Sequence, residues 1–138
     1  MRQNYKEFLI SDERERLDVG AICALLKTTY WAGTRSEETV RASLEHSMVF
    51  GVYRGPELIG FARCVTDWAT MYYLCDVVIR PDCRGMGIGS SLLGFISTHP
   101  ALKGLVGILA TKDAFDFYKK FGYMRTDNTM RRPPESSV

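Results

Sequence analysis

The sequence predicts an α+β domain organised around one mixed sheet, and three observations carry that prediction. Apolar residues recur at helical spacing in Val19, Ile22, Cys23 and Leu26, and again in Ile88, Leu92 and Ile96. Between these stretches lie apolar, largely β-branched and aromatic runs, Met48 to Tyr53, Leu58 to Val65 and Met71 to Ile79, each short enough to be a single strand. Gly85, Gly87 and Gly89 then join the last run to the second helical stretch, giving strand, tight turn and helix in succession.

In chain order, Tyr5 to Ile10 alternates as a first strand and Ser11 to Arg16 is a charged connection. A helix begins near Asp18, whose carboxylate suits the free N–H groups of a first turn, and stops by Gly33. A second helix follows Ser36, with Glu37 and Glu38 favourably set against the helix dipole and Val40 and Leu44 facing inward. Met48 to Tyr53 and Leu58 to Val65, joined by Arg54-Gly55-Pro56-Glu57, form an antiparallel hairpin. Met71 to Ile79 is the central strand, Ser90 to Thr98 a helix and Leu105 to Ala110 another strand. Lys112 to Phe121 is a short helix with Ala114, Phe117, Tyr118 and Phe121 on one face, and Tyr123 to Arg131 forms a last strand. Residues 1–132 make the domain, and the polar, proline-bearing 133–138 is expected to be a poorly ordered tail.

At 138 residues the chain can bury one core and is too short for two. A net charge of +2, with dispersed basic residues, gives nucleic acid no electrostatic footing. No window approaches the roughly 18 apolar residues of a membrane helix, and Met1 to Glu7 is too polar for a secretory signal, so a cytoplasmic protein without a membrane partner is expected. Cys23, Cys64, Cys75 and Cys83 lack C-x-x-C spacing and read as free thiols. His46 and His99 are too far apart in sequence to suggest a metal site.

The glycine turn carries the functional signal. Arg84-Gly85-Met86-Gly87-Ile88-Gly89-Ser90 stands between a strand and a helix N-terminus, where bare backbone N–H groups approach an anion, and a pyrophosphate is the natural guest. A phosphate-binding Walker loop needs a lysine after its glycines, and here Gly89 is followed by Ser90 and Ser91. The dinucleotide fingerprint needs a different glycine spacing and an acidic residue about 20 positions on, and neither is met.

Arg84, Gly87 and Gly89, preceded by Val77-Val78-Ile79-Arg80-Pro81-Asp82, resemble the acetyl-CoA signature of the GNAT superfamily of N-acetyltransferases, and Ala114-Phe115-Asp116-Phe117-Tyr118-Lys119-Lys120-Phe121-Gly122-Tyr123 resembles its second signature. The resemblance implies a GNAT-like single domain, a mixed, mostly antiparallel sheet flanked by about four helices. It also implies acetyl-CoA as co-substrate, no metal, and a small-molecule or peptide amine as acceptor. Its coenzyme-facing residues would be Val77, Val78 and Ile79 on the strand, Arg84, Gly85, Met86, Gly87, Ile88, Gly89 and Ser90 in the turn, and Thr111, Phe117 and Tyr118 beyond. Thr111 stands where many relatives carry an asparagine, and the chain is short for the family, so its final strand is either short or completed by a second subunit of a homodimer. A non-catalytic acyl-CoA-binding sensor is the alternative reading.

The resemblance also implies that backbone donors near Val77 or Val78, where the central strand splays, hold the oxyanion, an arrangement that can be worth about 3 kcal/mol. The residues themselves suggest further roles. Tyr118 keeps its proton at neutral pH and can give it to a departing thiolate, or else it is a packed aromatic. Arg84 adds charge to the turn or is a solvated surface residue. Asp76, a carboxylate inside an apolar strand, is either a base whose pKa burial raises or a structural aspartate. Where some relatives carry a glutamate proposed as base, this chain has Cys75. Tyr30, Trp31, Arg35, Trp68 and Tyr73, with Asp67 and Tyr72 nearby, are candidates for the acceptor site or for packing at its rim.

Overall fold

A computed structural model of the chain describes residues 1–135. Six strands form one sheet whose spatial order follows the chain, with four α-helices against its faces. Strands β1 (Arg2–Tyr5) and β2 (Phe8–Ser11) make a hairpin, where the sequence predicts one strand from Tyr5 to Ile10. The break falls at Lys6, left-handed at φ 53° with no glycine or asparagine to announce it. A contact remote in sequence holds it: the Tyr5 hydroxyl and the Lys6 ammonium both donate to the Met86 carbonyl, at 2.8 and 3.3 Å.

Helices α1 (Val19–Leu26) and α2 (Glu37–Glu45) start where their caps predict. Asp18 Oδ1 accepts from the Ala21 N–H at 3.2 Å and Ser36 Oγ from the Thr39 N–H at 3.1 Å. Helix α1 stops at Leu26, short of Gly33, and the hydroxyls of Thr28 and Thr29 donate to the Leu25 and Leu26 carbonyls as it ends. Strands β3 (Ser47–Arg54) and β4 (Glu57–Thr66) pair around a turn in which Gly55 takes φ 57°. Strand β5 (Met71–Ile79) runs antiparallel to β4, and β6 (Val106–Ile108) lies parallel to β5 after the crossover helix α3 (Ile88–Ser97).

Alternation along the strands builds two cores. Phe50, Val52 and Leu74 face Leu92 and Ile96 of α3, while Val49, Tyr53 and Phe61 face Ile22 of α1 and Val40 of α2. Full burial of such a side chain contributes about 1.5–3 kcal/mol. Asp76 interrupts the alternation. Pairing passes from Phe61↔Val78 to Arg63↔Cys75, so Asp76 and Val77 oppose the single residue Ala62. Asp76 sits at φ 55°, and parity reverses across it: Leu74 packs with α3, whereas Val78 packs with α1 and α2.

The C-terminal side departs furthest from the sequence reading. Helix α4 (Phe115–Lys119) begins later than Lys112, because Thr111 Oγ accepts the Ala114 N–H at 3.0 Å and holds the intervening residues in a turn. The strand expected from Tyr123 to Arg131 is absent: the segment has no regular structure. Met124 and Met130 are exposed, so it buries too little apolar surface to offset the entropy of ordering a strand. Tyr123 instead turns inward, its hydroxyl 2.7 Å from that of Tyr72. Of the tail expected at 133–138, residues 136–138 lie outside the described residues.

Candidate active site

The glycine turn opens α3 with nothing over its first donors. Gly85 and Gly87 are left-handed, at φ 79° and 80°, and no side chain caps the helix. Among the described residues, none accepts the N–H groups of Ile88, Gly89 or Ser90. Gly87 is required twice over, since a Cβ there would be strained by its φ and would stand 2.5 Å from the Tyr5 hydroxyl. Bare donors at the positive end of a helix dipole form a seat for an anion. Arg84 is exposed and folds back, its Nε donating to the Ile79 carbonyl at 3.1 Å, with its charge kept beside the turn.

Next to this seat the sheet opens. Strand β6 pairs only with Met71, Tyr72 and Tyr73, so from Leu74 to Ile79 β5 has β4 on one side and, among the described residues, no strand on the other. Val77, Val78 and Ile79 lie on that open edge. The Val78 side chain is buried in the core, which leaves its backbone as the part available to a ligand. Helix α4 meets the turn at Phe117, whose ring lies 3.7 Å from the position of a Cβ on Gly89. Tyr118 packs edge-on against Phe117 and Tyr123, at centroid distances of 5.1 and 6.0 Å, and burial pushes its hydroxyl pKa up, so the proton stays on at neutral pH. A cavity of about 960 Å³ opens on the side of β6, α4 and residues 121–129. It includes Tyr118 and Thr111 but none of the glycine turn, so the cavity and the free donors of α3 are separate features.

Asp76 is the most constrained charge in the region. Its Oδ2 accepts from Arg35 Nη1 at 2.7 Å and from Arg63 Nε at 2.6 Å, and its Oδ1 from the indole N–H of Trp31 at 3.0 Å. The side chain is 1% exposed. Burial alone would raise its pKa, as the sequence reading expects of a base, but the hydrogen bonds and charges of Arg35 and Arg63 outweigh burial and hold the carboxyl below its ordinary value. Arg63 also donates to Ser47 Oγ at 3.1 Å. Sequence reasoning overlooked Arg63, yet it carried a signal: like Asp76, it is a charge set inside an apolar strand.

Three of the candidate acceptor residues make contacts that fix the α1–α2 loop. Trp31 and Arg35 are tied to Asp76, while Tyr30 is exposed with the Lys112 ammonium 5.5 Å from its ring centre, which brings the α1–α2 loop up to the segment after β6. Tyr73 is partly exposed on β5, beside its partner Ile108. Trp68, at φ 63° on the turn before β5, is exposed and takes no part in the Asp76 cluster. Asp67 is committed to its own turn, accepting from Thr70, Ala69 and Met71, which lower its pKa. Burial pushes the Cys75 thiol up to about 11, so it stays neutral and unreactive near pH 7. All four cysteines are free, and among the described residues no group of three or more His, Cys, Asp or Glu side chains is arranged to hold a metal.

The family model described as "Acetyltransferase (GNAT) family" matches residues 19–123, a span that includes the glycine turn, the bulge and Tyr118. The chain belongs to the GNAT acetyltransferase family. A GNAT-family crystal structure from Xanthomonas campestris pv. campestris superposes with a TM-score of 0.86 at 32% identity, over 92% of this chain and 93% of that one. An uncharacterised N-acetyltransferase, ycf52-like, of Prochlorococcus marinus is 31% identical over 84% of this chain and 67% of its own length. The rice protein named serotonin N-acetyltransferase 2, chloroplastic, is 26% identical over 90% of this chain and 65% of its own length. The GNAT chain thus spans about two thirds of the length of these two relatives.

Proposed function

We propose that this GNAT protein is an N-acetyltransferase that moves acetyl from acetyl-CoA to a primary amine of a small molecule or peptide, by direct attack within a ternary complex. The observation that carries the reading is the open edge of β5 from Leu74 to Ile79, set beside the uncapped start of α3. The residues present fit the coenzyme. The Ile88, Gly89 and Ser90 N–H groups suit its pyrophosphate, and the unpaired backbone of β5 suits the amides of its pantetheine arm. When bound, acetyl-CoA supplies the thioester carbonyl that the amine attacks.

The chain's own groups then have distinct tasks. Backbone donors near Val77 and Val78 stabilise the negative charge that builds on the carbonyl oxygen. Tyr118 hands its proton to the sulfur as the C–S bond breaks and the N–C bond forms, and regains one from solvent, while the amine proton leaves to water. Asp76, ionised and held by three donors, positions the bulge instead of acting as the base. The names of the ycf52-like and rice relatives support nitrogen as the acceptor atom. Among the described residues no helix is long and apolar enough to cross a membrane, and we set the protein in the cytoplasm, although the rice relative is named chloroplastic.

The test is a panel of amines and peptide N-termini incubated with acetyl-CoA, with free thiol as readout. Amine-dependent thiol release is expected. Coenzyme binding without release under any acceptor would make the domain a coenzyme sensor, and absence of coenzyme binding would overturn the reading altogether.

A further inference from the structure

The Asp76 cluster carries more positive charge than its carboxylate neutralises. Two guanidinium groups face one carboxylate, both of whose oxygens are already taken by Arg35, Arg63 and Trp31. Donors are left over: among the described residues, Arg35 uses only Nη1, and Arg63 uses Nε and Nη1 but not Nη2. The Arg35 side chain is 28% exposed and Arg63 13%, so these free donors border solvent from a mostly buried position. The Lys112 ammonium, over the neighbouring Tyr30 ring, adds charge of the same sign. The Cys75 thiol beside the two guanidinium groups is neutral and does not offset their charge. A lone arginine–aspartate staple would leave no surplus, whereas this one leaves a partly desolvated cation beside the Asp76 bulge of β5.

We propose that Arg35, backed by Arg63, recognises an anionic group on the acceptor, a carboxylate or a phosphate, so that the preferred substrates are amines that also carry a negative charge. The inference rests on the acetyltransferase reading and narrows its substrate class. Asp76, 1% exposed and already opposed by two guanidinium groups, is not placed to serve as a counter-ion for a cationic amine, and a guanidinium fork matches carboxylate and phosphate oxygens in pairs. Exposed Tyr30 and partly exposed Trp31 flank the site and suit an acceptor with an apolar or ring-shaped body.

The experiment compares acceptors that differ only in the anion: 5-hydroxytryptophan against serotonin, tyrosine against tyramine, and glucosamine 6-phosphate against glucosamine. Charge-assisted hydrogen bonds of this kind predict that kcat/KM favours the anionic member of at least one pair by about ten- to a hundredfold. Whether the carboxylate or the phosphate pairs respond identifies the anion. Arg35→Met should bring the favoured ratio down towards one and Arg35→Lys should restore part of it. The ratio is internal to each variant, so a general loss of folded enzyme lowers both rates and leaves it unmoved. Equal rates within every pair, or preference for the uncharged member, would overturn the proposal while leaving the acetyltransferase reading intact.

A binding measurement decides the matter if none of these acceptors turns over. In a Trp68→Phe background Trp31 is the sole tryptophan, and its emission should respond saturably to N-acetylglycine or glucosamine 6-phosphate and not to N-acetylglycinamide or glucosamine. The absence of a saturable response to both anions would overturn the proposal. Coenzyme A binding, followed separately by calorimetry, reports on the acetyltransferase reading alone.

Discussion

The glycine turn and the Asp76 bulge both need left-handed backbone, and they obtain it by opposite means. Gly85 and Gly87 adopt φ near 80° because they lack a Cβ, so nothing has to hold them there and their neighbours' N–H groups stay free. Asp76 adopts φ 55° with a Cβ, at a cost of about 1–2 kcal/mol, and three side chains from β4 and the α1–α2 loop fix its carboxylate. The first arrangement leaves unsatisfied donors for a ligand. The second leaves a carboxylate held by three donors and a surplus cation. Backbone freedom thus leaves donors open to a ligand, whereas side-chain closure commits a carboxylate to its own surroundings.

The comparison predicts its largest effect at the bulge. Asp76→Ala strips the counter-ion from two mostly buried guanidinium groups and should destabilise the fold by about 3–5 kcal/mol, as when one partner of a buried pair is lost. Urea unfolding measures this, and a change below about 1 kcal/mol would mean that the cluster is not what holds the bulge. The sign with pH follows from the depressed pKa of the folded carboxyl. Its contribution is fully present above the unfolded value of about 4 and fades as pH falls below it. Asp76→Asn should therefore flatten the loss of stability below about pH 4, while the pH profile of kcat/KM in the neutral range keeps its shape. Disappearance of an acidic limb in that variant would restore Asp76 as a base.

At the turn, Gly87→Glu adds a strained side chain, a clash with Tyr5 and a negative charge at the anion seat. Coenzyme A affinity should fall by at least about a hundredfold, near 2.7 kcal/mol. Calorimetry on the folded variant checks this, and unchanged affinity would move the coenzyme elsewhere, the cavity beside β6 being the next place to look. Tyr118→Phe keeps the ring and removes the proton, so kcat should drop by about ten- to a thousandfold with coenzyme affinity nearly unchanged. Equal kcat, with chemistry rate-limiting, would reduce Tyr118 to packing between the two regions. The smallest effect is expected at Gly85, which shares the φ of Gly87 but has open space where a Cβ would point. Gly85→Ala should cost about 1–2 kcal/mol in thermal or urea unfolding, the backbone term alone.

The same contrast explains what could be read in advance. Caps at Asp18 and Ser36, the hairpin around Gly55 and the bounds of β5 were legible because each depends on residues close in sequence. So was the glycine turn, whose conformation its composition dictates. The β1–β2 break at Lys6 was not, since its support comes from Met86, and neither was the failure of residues 123–131 to form a strand, which depends on how little apolar surface the folded chain lets them bury. The charge state of Asp76 belongs with these: burial and pairing push its pKa in opposite directions, and which one prevails depends on Arg35 and Arg63, brought from another loop and another strand. By itself the sequence determined the family, the order of elements from α1 to α4 and the glycine turn, because local periodicity and glycine stereochemistry require no partner. Only the tertiary structure decided that β5 parts from β6 after Tyr73 and that Asp76 is locked between two arginines, because pairing and electrostatic balance are properties of groups that meet only when the chain is folded.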